Sequence, residues 1–472
     1  MEDFGTTPTQ APDRAWSLWF GLLLLIVVGA VALQTALVFT EGDTSGGSRL
    51  RFLMAGDVNI KYALAGLDKK AKVADAIDSY ESALPWPAAY RRVGITKIAF
   101  LHQSQAPELQ LLASKAAIKD IPKDRVAKLK AEAAMWDEVF GQPRISKARG
   151  EQILGEVREL NLGPLRDVAI AEVLRRSGQV SQADAAMARA KQDAFVKVAG
   201  LTMLMLSLVV VGLAGVVIAI LFFSRRVGDL RSPTAVGALP SILLRGFLVF
   251  LVGSVAIEVV FSGFFGMMVS GYEDAALAAA VLLQIATIFA AVAFAITYVG
   301  ARAPNGGAVL CDIGLRALSP KQSLKWAVGG YCATLPFLVL AVIATQIMLN
   351  TVLKGIPTPE HPLVPTVESG GVLTWTVAIL LAVIVAPLVE EIVFRGLLYT
   401  ALRARMGMWA SVIISGMIFA ALHPTIPEQF LMLSVLGCAF AVIRERTGSL
   451  VPSMICHGIN NGVIFLALWL IA

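Results

Sequence analysis

The chain has 472 residues, 57% of them hydrophobic against 16% charged, a balance far more apolar than that of a water-soluble globular protein. Its formal charge of +6 comes largely from arginines and lysines beside apolar stretches, without a basic patch interleaved with aromatics, so it reads as membrane topology and argues against nucleic acid as a partner. The four cysteines, Cys311, Cys332, Cys438 and Cys456, lie in or beside apolar stretches and lack paired metal-ligand spacing, which points to neither a disulfide framework nor a thiolate zinc site.

Nine stretches are apolar enough to be read as membrane helices, with ends uncertain by several residues. The first, Trp16 to Phe39, is too long for a signal-peptide core and lacks a strongly basic leader, so residues 1–40 are read as a retained anchor. The others run over 197–223, 242–270, 275–299, 326–350, 372–400, 408–424, 429–443 and 450–471. Between the first two lies a polar segment, residues 41–196, whose charge content marks a separate water-facing domain. Its alanine-rich runs AKVADAIDSYESAL, EVREL and QADAAMARAKQDAF favour helices with proline or glycine breaks between them. The spacings Ala76, Tyr80, Ala83 and Gly178, Ala183, Met187, Ala190 resemble the small-aromatic-small seam of tetratricopeptide repeats, although no clean 34-residue period links them. By analogy with such repeats, this segment would dock a protein partner or peptide.

Basic residues set the expected orientation, because short loops rich in lysine and arginine stay in the cytoplasm. Arg225, Arg226 and Arg231, then Arg302, Arg316, Lys321 and Lys325, then Arg403 and Arg405, then Arg444 and Arg446 alternate with loops holding Glu273 and Asp274 or Glu360 and Glu368. The amino terminus is thereby expected in the cytoplasm, and the 41–196 domain and the carboxyl terminus outside it.

Charges are costly in hydrocarbon and need a reason there. The sixth stretch reads VAPLVEEIVFRGLLY, in which Glu391 and Arg395 are one helical turn apart and can pair. Glu390, about 100° around the helix, is left without a local partner. The plainer reading ends the helix near residue 388 and leaves all three charges at the interface. The next stretch holds FAALH, placing Phe419 and His423 one turn apart within an apolar run. If the two stretches form an antiparallel hairpin turning at Met406 and Gly407, Glu390 and His423 come to the same height, roughly 25 Å from the turn at helical rise. The last stretch adds SMICHGINNGVIF, where His457 and Asn461 share a helical face and Asn460 reads as helix-to-helix glue. The remaining histidines, His102 in the polar segment and His361 in a loop, have no ligand pattern near them.

A carboxylate, two imidazoles and an amide in one polar pocket suit peptide-bond hydrolysis. The carboxylate takes a proton from water, and imidazole and amide donors stabilise the oxyanion. Alternatively, Glu390, His423 and His457 hold a divalent metal, zinc before others, that activates the water. The HExxH spacing of soluble zinc proteases is absent, and the sequence leaves both mechanisms open.

The ordered motifs EEIVFRG, FAALH and HGINN, at 390–396, 419–423 and 457–461, resemble the signatures of the CAAX prenyl endopeptidase and bacteriocin-processing (Abi) family of intramembrane proteases. The resemblance covers about residues 372–467 and implies an all-α membrane bundle, with residues 197–472 forming an eight-helix protease core like that of the Ras-converting enzymes. It implies that Glu390 activates water together with His423, that His457 and Asn461 form the oxyanion hole, and that Glu391, Arg395 and Phe419 support them. Family members are usually classed as metalloproteases. Eukaryotic relatives trim prenylated CAAX proteins; bacterial relatives act in peptide maturation, bacteriocin immunity or regulation. The expectation is therefore an integral membrane endopeptidase of a bacterial plasma membrane, in contact with lipid and a peptide or membrane-protein substrate. The alternatives are a nonproteolytic scaffold or regulator working through its outer helical domain and, with less support because no inverted repeat or pair of broken helices is visible, a transporter.

Overall fold

The computed structural model describes residues 15–40, 45–114, 123–223, 240–268, 274–303, 309–316, 318–353, 372–423 and 425–471. Arg225, Arg226, Arg231, Glu273, Glu360, His361, Glu368 and Pro424 lie outside them. Every regular element among the described residues is helical. In chain order α1 (Trp16–Thr40) leads to α2 (Ser45–Leu64), α3 (Lys69–Ser82), α4 (Pro87–Leu101), α5 (Lys123–Gly141), α6 (Lys147–Glu159) and α7 (Arg166–Arg176). Then follow α8 (Val180–Phe223), α9 (Pro240–Met268), α10 (Asp274–Gly300), α11 (Pro320–Asn350), α12 (Val372–Arg403), α13 (Met408–Ala421), α14 (Phe430–Thr447) and α15 (Val451–Ile471).

Each expected span coincides with a helix. Among the described residues six helices, α1, α8, α10, α11, α12 and α15, are long and apolar enough to cross a membrane, while α9 and α13 contribute shorter apolar runs, Pro240–Ala256 and Met408–Ala421. The 18-residue α14 ends in the buried Arg444, Glu445 and Arg446 and falls outside both groups. Two boundaries differ from the sequence reading. Residues 180–196 and the second apolar stretch form one helix of 44 residues, because neither proline nor glycine occurs between Val180 and Ala199 to stop it. His423 lies beyond the end of α13, one residue past its Leu422 cap, because the residue before a proline is pushed out of helical geometry and position 424 is Pro.

The chain forms two compact units, Met1–Thr44 with Ser207–Phe465, and Ser45–Leu206 with Leu466–Ala472. In the first, α12 is the central element. Its Val393, Leu397, Leu398 and Leu402 are buried with Phe247 of α9, Phe419 of α13 and Leu23 of α1. The first helix is thus part of this core. Helices α13 and α14 cross with their backbones touching, since a Cβ on Gly437 would lie 2.7 Å from the Gly416 Cα. Small residues permit such approach in membrane bundles.

In the second unit the helix starts at 45, 69, 87, 107, 123, 147, 166 and 180 follow no uniform spacing. Its core includes Trp136, Tyr80, Ile153 and Ala183. A buried polar cluster joins α2, α3 and α4. Arg92 grips Asp57 through two bonds, Nε to Oδ1 at 2.9 Å and Nη2 to Oδ2 at 3.1 Å, and the Tyr80 hydroxyl donates to Oδ1 at 2.6 Å. Gly163, at φ +53°, closes over it where a Cβ would lie 2.8 Å from Asp57 Oδ2. Burial pushes the nearby Lys61 ammonium down to about 8, and its Nζ donates to the carbonyl of Ile471.

Replacing Arg92 by alanine strands the Asp57 carboxylate in this core. The expected cost is about 3–5 kcal/mol, read as earlier thermal loss of helicity and faster proteolysis within 45–206.

Candidate active site

The site begins with an irregularity in α12. The helix is wound as π-helix over Leu381–Val385 and Glu391–Leu398, with an α-helical turn, Ala386–Glu390, between. Pro387 has no N–H to give, so in the first wide turn the Ala382 carbonyl, five residues back, needs another donor. Asn461 of α15 supplies it, Nδ2 donating at 2.8 Å. One turn earlier on α15, a Cβ at Gly458 would sit 2.7 Å from the Val383 carbonyl oxygen, so glycine lets the two helices close at this level. Asn460 is buried and donates to the Asn461 Oδ1 at 3.2 Å.

Below this contact sits Glu391, with no exposed surface. Its Oε1 accepts from Arg395 Nη1 at 2.8 Å and faces His457 Nδ1 at 3.2 Å. Arg395 is also buried, and its Nη2 donates to the Gly437 carbonyl at 3.0 Å, which the close α13–α14 crossing brings within reach. Aromatic faces complete the enclosure. The guanidinium lies 4.5 Å from the Phe419 ring centre and 5.0 Å from that of Phe440, and Phe440 stacks on His457 at 4.7 Å. A buried charge is tolerated when it is paired, and the Glu391–Arg395 pair meets that condition, although Glu391 Oε2 and Arg395 Nε have no hydrogen-bond partner among the described residues.

Glu390 is different. It is about a quarter exposed, and its Oε2 lies 3.8 Å from His457 Nε2 and 4.0 Å from His423 Nε2. The antiparallel hairpin of α12 and α13 therefore brings Glu390 and His423 to one level. His423 Nδ1 lies 2.7 Å from the Phe419 carbonyl. Carbonyl and carboxylate oxygens only accept, so each histidine carries a hydrogen on Nδ1 and presents Nε2 to Glu390. The two Nε2 separations exceed a direct hydrogen bond. The structure thus brings Glu390, His423 and His457 together, with Glu391, Arg395 and Phe419 behind them, and engages Asn461 on the Ala382 carbonyl.

Residues 372–463 match the family model for type II CAAX prenyl endopeptidase Rce1-like proteins. The chain carries an Rce1-like domain. That domain holds α12 to α14, the first part of α15 and the whole constellation just described, and with its apolar helices the chain is an integral membrane protein. A 131-residue stretch is 28% identical to an uncharacterized 24.3 kDa protein of Escherichia coli, covering 26% of this chain. The chain spans 58% of the length of that relative. No solved structure matches it.

The donor set of the Rce1-like domain can be compared with a metal site. Two ligands on a tetrahedral zinc, each bound at about 2.0–2.1 Å, lie about 3.3 Å apart. The separations of 3.8 and 4.0 Å around Glu390 are wider, and no group of three or more His, Cys, Asp or Glu among the described residues is placed to hold a metal ion. As arranged here, these residues do not fit one.

Sequence reasoning missed three contributors. The contact of Glu391 with His457 joins elements 66 residues apart, and the only local signal was that Glu391 already had a cation one turn away. Phe440 left no mark in the sequence. Glu445, which accepts from the Tyr399 hydroxyl at 2.7 Å and Arg403 Nε at 3.0 Å, lay in a segment read as a basic loop.

Adjacent glutamates should then respond oppositely to substitution. Glu391→Ala leaves Arg395 buried without its counter-charge and is expected to cost about 3–5 kcal/mol. Glu390→Ala, at a partly exposed site, is expected to stay within about 0.5 kcal/mol. Thermal unfolding of both variants in detergent measures the contrast, and equal losses would contradict it.

Proposed function

We propose that the Rce1-like domain is an intramembrane endopeptidase that hydrolyses peptide bonds of membrane-associated proteins or peptides. The observation that carries this reading is Glu390 Oε2 set opposite the Nε2 atoms of His457 and His423, at 3.8 and 4.0 Å, in front of the buried Glu391–Arg395 pair. It is strengthened by the family match over the same residues.

A water between Glu390 and His423 loses its proton to the Glu390 carboxylate as its oxygen attacks the scissile carbonyl carbon. His423, held by the Phe419 carbonyl, orients that water through Nε2. The developing oxyanion is stabilised by His457 carrying a hydrogen on Nε2 in addition to the Nδ1 hydrogen that faces Glu391, and by the second Nδ2 hydrogen of Asn461, the first being engaged by Ala382. Collapse breaks the C–N bond, and Glu390 passes its proton to the leaving amine. Glu391 and Arg395 touch no substrate in this scheme. Glu391 holds the His457 ring, and Arg395 holds Glu391.

In this reading the amino terminus is cytoplasmic, and residues 41–196 form a water-facing helical domain on the opposite side that docks a protein partner or presents substrate. The alternation of basic loops in the sequence supports that placement.

Two outcomes test the chemistry. With a membrane-anchored peptide in proteoliposomes, Glu390→Gln should lower the cleavage rate about 10²–10⁴-fold and His457→Ala about 10²–10³-fold, with the helical signal unchanged. Cleavage at wild-type rate by both variants would remove the site from the reaction. Treatment with a strong zinc chelator should leave the wild-type rate unaltered, because the scheme routes no step through a metal. Loss on chelation with recovery on adding zinc would show that the three donors draw together around one.

A further inference from the structure

At the start of α1, Trp16 and Trp19 lie one turn apart on one helix face, and each has a guanidinium against its ring. The Arg245 guanidinium is 4.6 Å from the Trp19 ring centre and that of Arg405 is 6.0 Å from Trp16. The arginines come from separate elements, Arg245 from the second turn of α9 and Arg405 from the turn joining α12 to α13. Three parts of the first unit therefore meet at one end of the bundle.

Trp19 Nε1 and Arg245 Nε are buried and have no hydrogen-bond partner. Buried donors are nearly always satisfied, and a guanidinium cannot lose its charge to escape the cost. Arg245 pairs with no carboxylate among the described residues. What fits is an anionic group rich in acceptor oxygens. Indole stacking leaves the N–H edge of a guanidinium free, the edge that recognises phosphate in two-point fashion.

The surroundings decide the source of that phosphate. Nearby, α1 exposes Leu18, Leu22 and Leu25, and α9 exposes Val252 and Val255, apolar side chains suited to acyl chains. Tryptophan and arginine together at helix ends belong at headgroup depth. We propose that Arg245, Arg405, Trp16 and Trp19 form a site for the phosphate of an anionic phospholipid headgroup. The site lies at the bundle face that the arginine-rich loops assign to the cytoplasm, where anionic lipids concentrate. It stands independently of the peptidase reading.

The full chain, in nanodiscs of phosphatidylcholine alone or mixed with phosphatidylglycerol, supplies the test. Native mass spectrometry should find phosphatidylglycerol retained in preference to phosphatidylcholine. Arg245→Gln and Arg405→Gln should each weaken retention about fivefold while unfolding at the wild-type temperature in phosphatidylcholine. Should Arg245→Gln unfold early, Arg245→Lys keeps a charge without the planar fork and should still reduce retention. Inorganic phosphate at equal concentration should displace nothing. Equal retention of the two lipids, equal retention by wild type and the folded variants, or displacement of lipid by free phosphate would each overturn the proposal.

Discussion

A carboxylate without exposed surface in the middle of an apolar helix dictates what surrounds it. Glu391 is that group, and the packing of the Rce1-like domain around it supplies its partners. Arg395 answers from the next turn of α12, His457 from α15, and the Gly437 carbonyl takes the arginine's second nitrogen from α14. Each requirement fixes an element. The arginine needs aromatic walls, which Phe419 and Phe440 provide, and the carbonyl needs α14 close, which Gly416 and Gly437 permit. One desolvated charge thus ties four segments into a single register.

The neighbouring position inherits the benefit. Because Glu391 already pairs with Arg395 and faces His457, the residue before it, Glu390, can face the two imidazoles without supporting the fold. The π-helical turns on either side set both groups at the needed angles, and Pro387 explains why α12 winds so and why Asn461 must reach across. Rigidity and reactivity are separated by a single residue along one helix.

Much of this was legible in the sequence, for physical reasons that differ by residue. The adjacency of Glu390 and Glu391 with Arg395 one turn on is local, so pairing and exclusion from it follow from helical periodicity alone. The level of His423 followed from counting residues on either side of a short turn. The polar segment and the apolar helices announce themselves by composition. What stayed hidden depended on distant contacts. The Glu391–His457 contact and the Phe440 stack need three helices to be packed before they exist. The end of α13 before His423 was misplaced because apolar character continues past the point where Pro424 ends the winding, and hydropathy does not register a missing N–H.

Helix α13 has one more property that bears on how a hydrolytic centre could be supplied with water. Its 14 residues rise about 21 Å, roughly 9 Å less than the hydrocarbon thickness of an ordinary bilayer. Were α13 to cross a bilayer, lipid beside so short a helix would have to thin or let headgroups sink. Hydrophobic mismatch would then hollow the membrane into a shallow funnel beside Glu390, through which solvent and an extended polypeptide could both arrive without a dedicated channel.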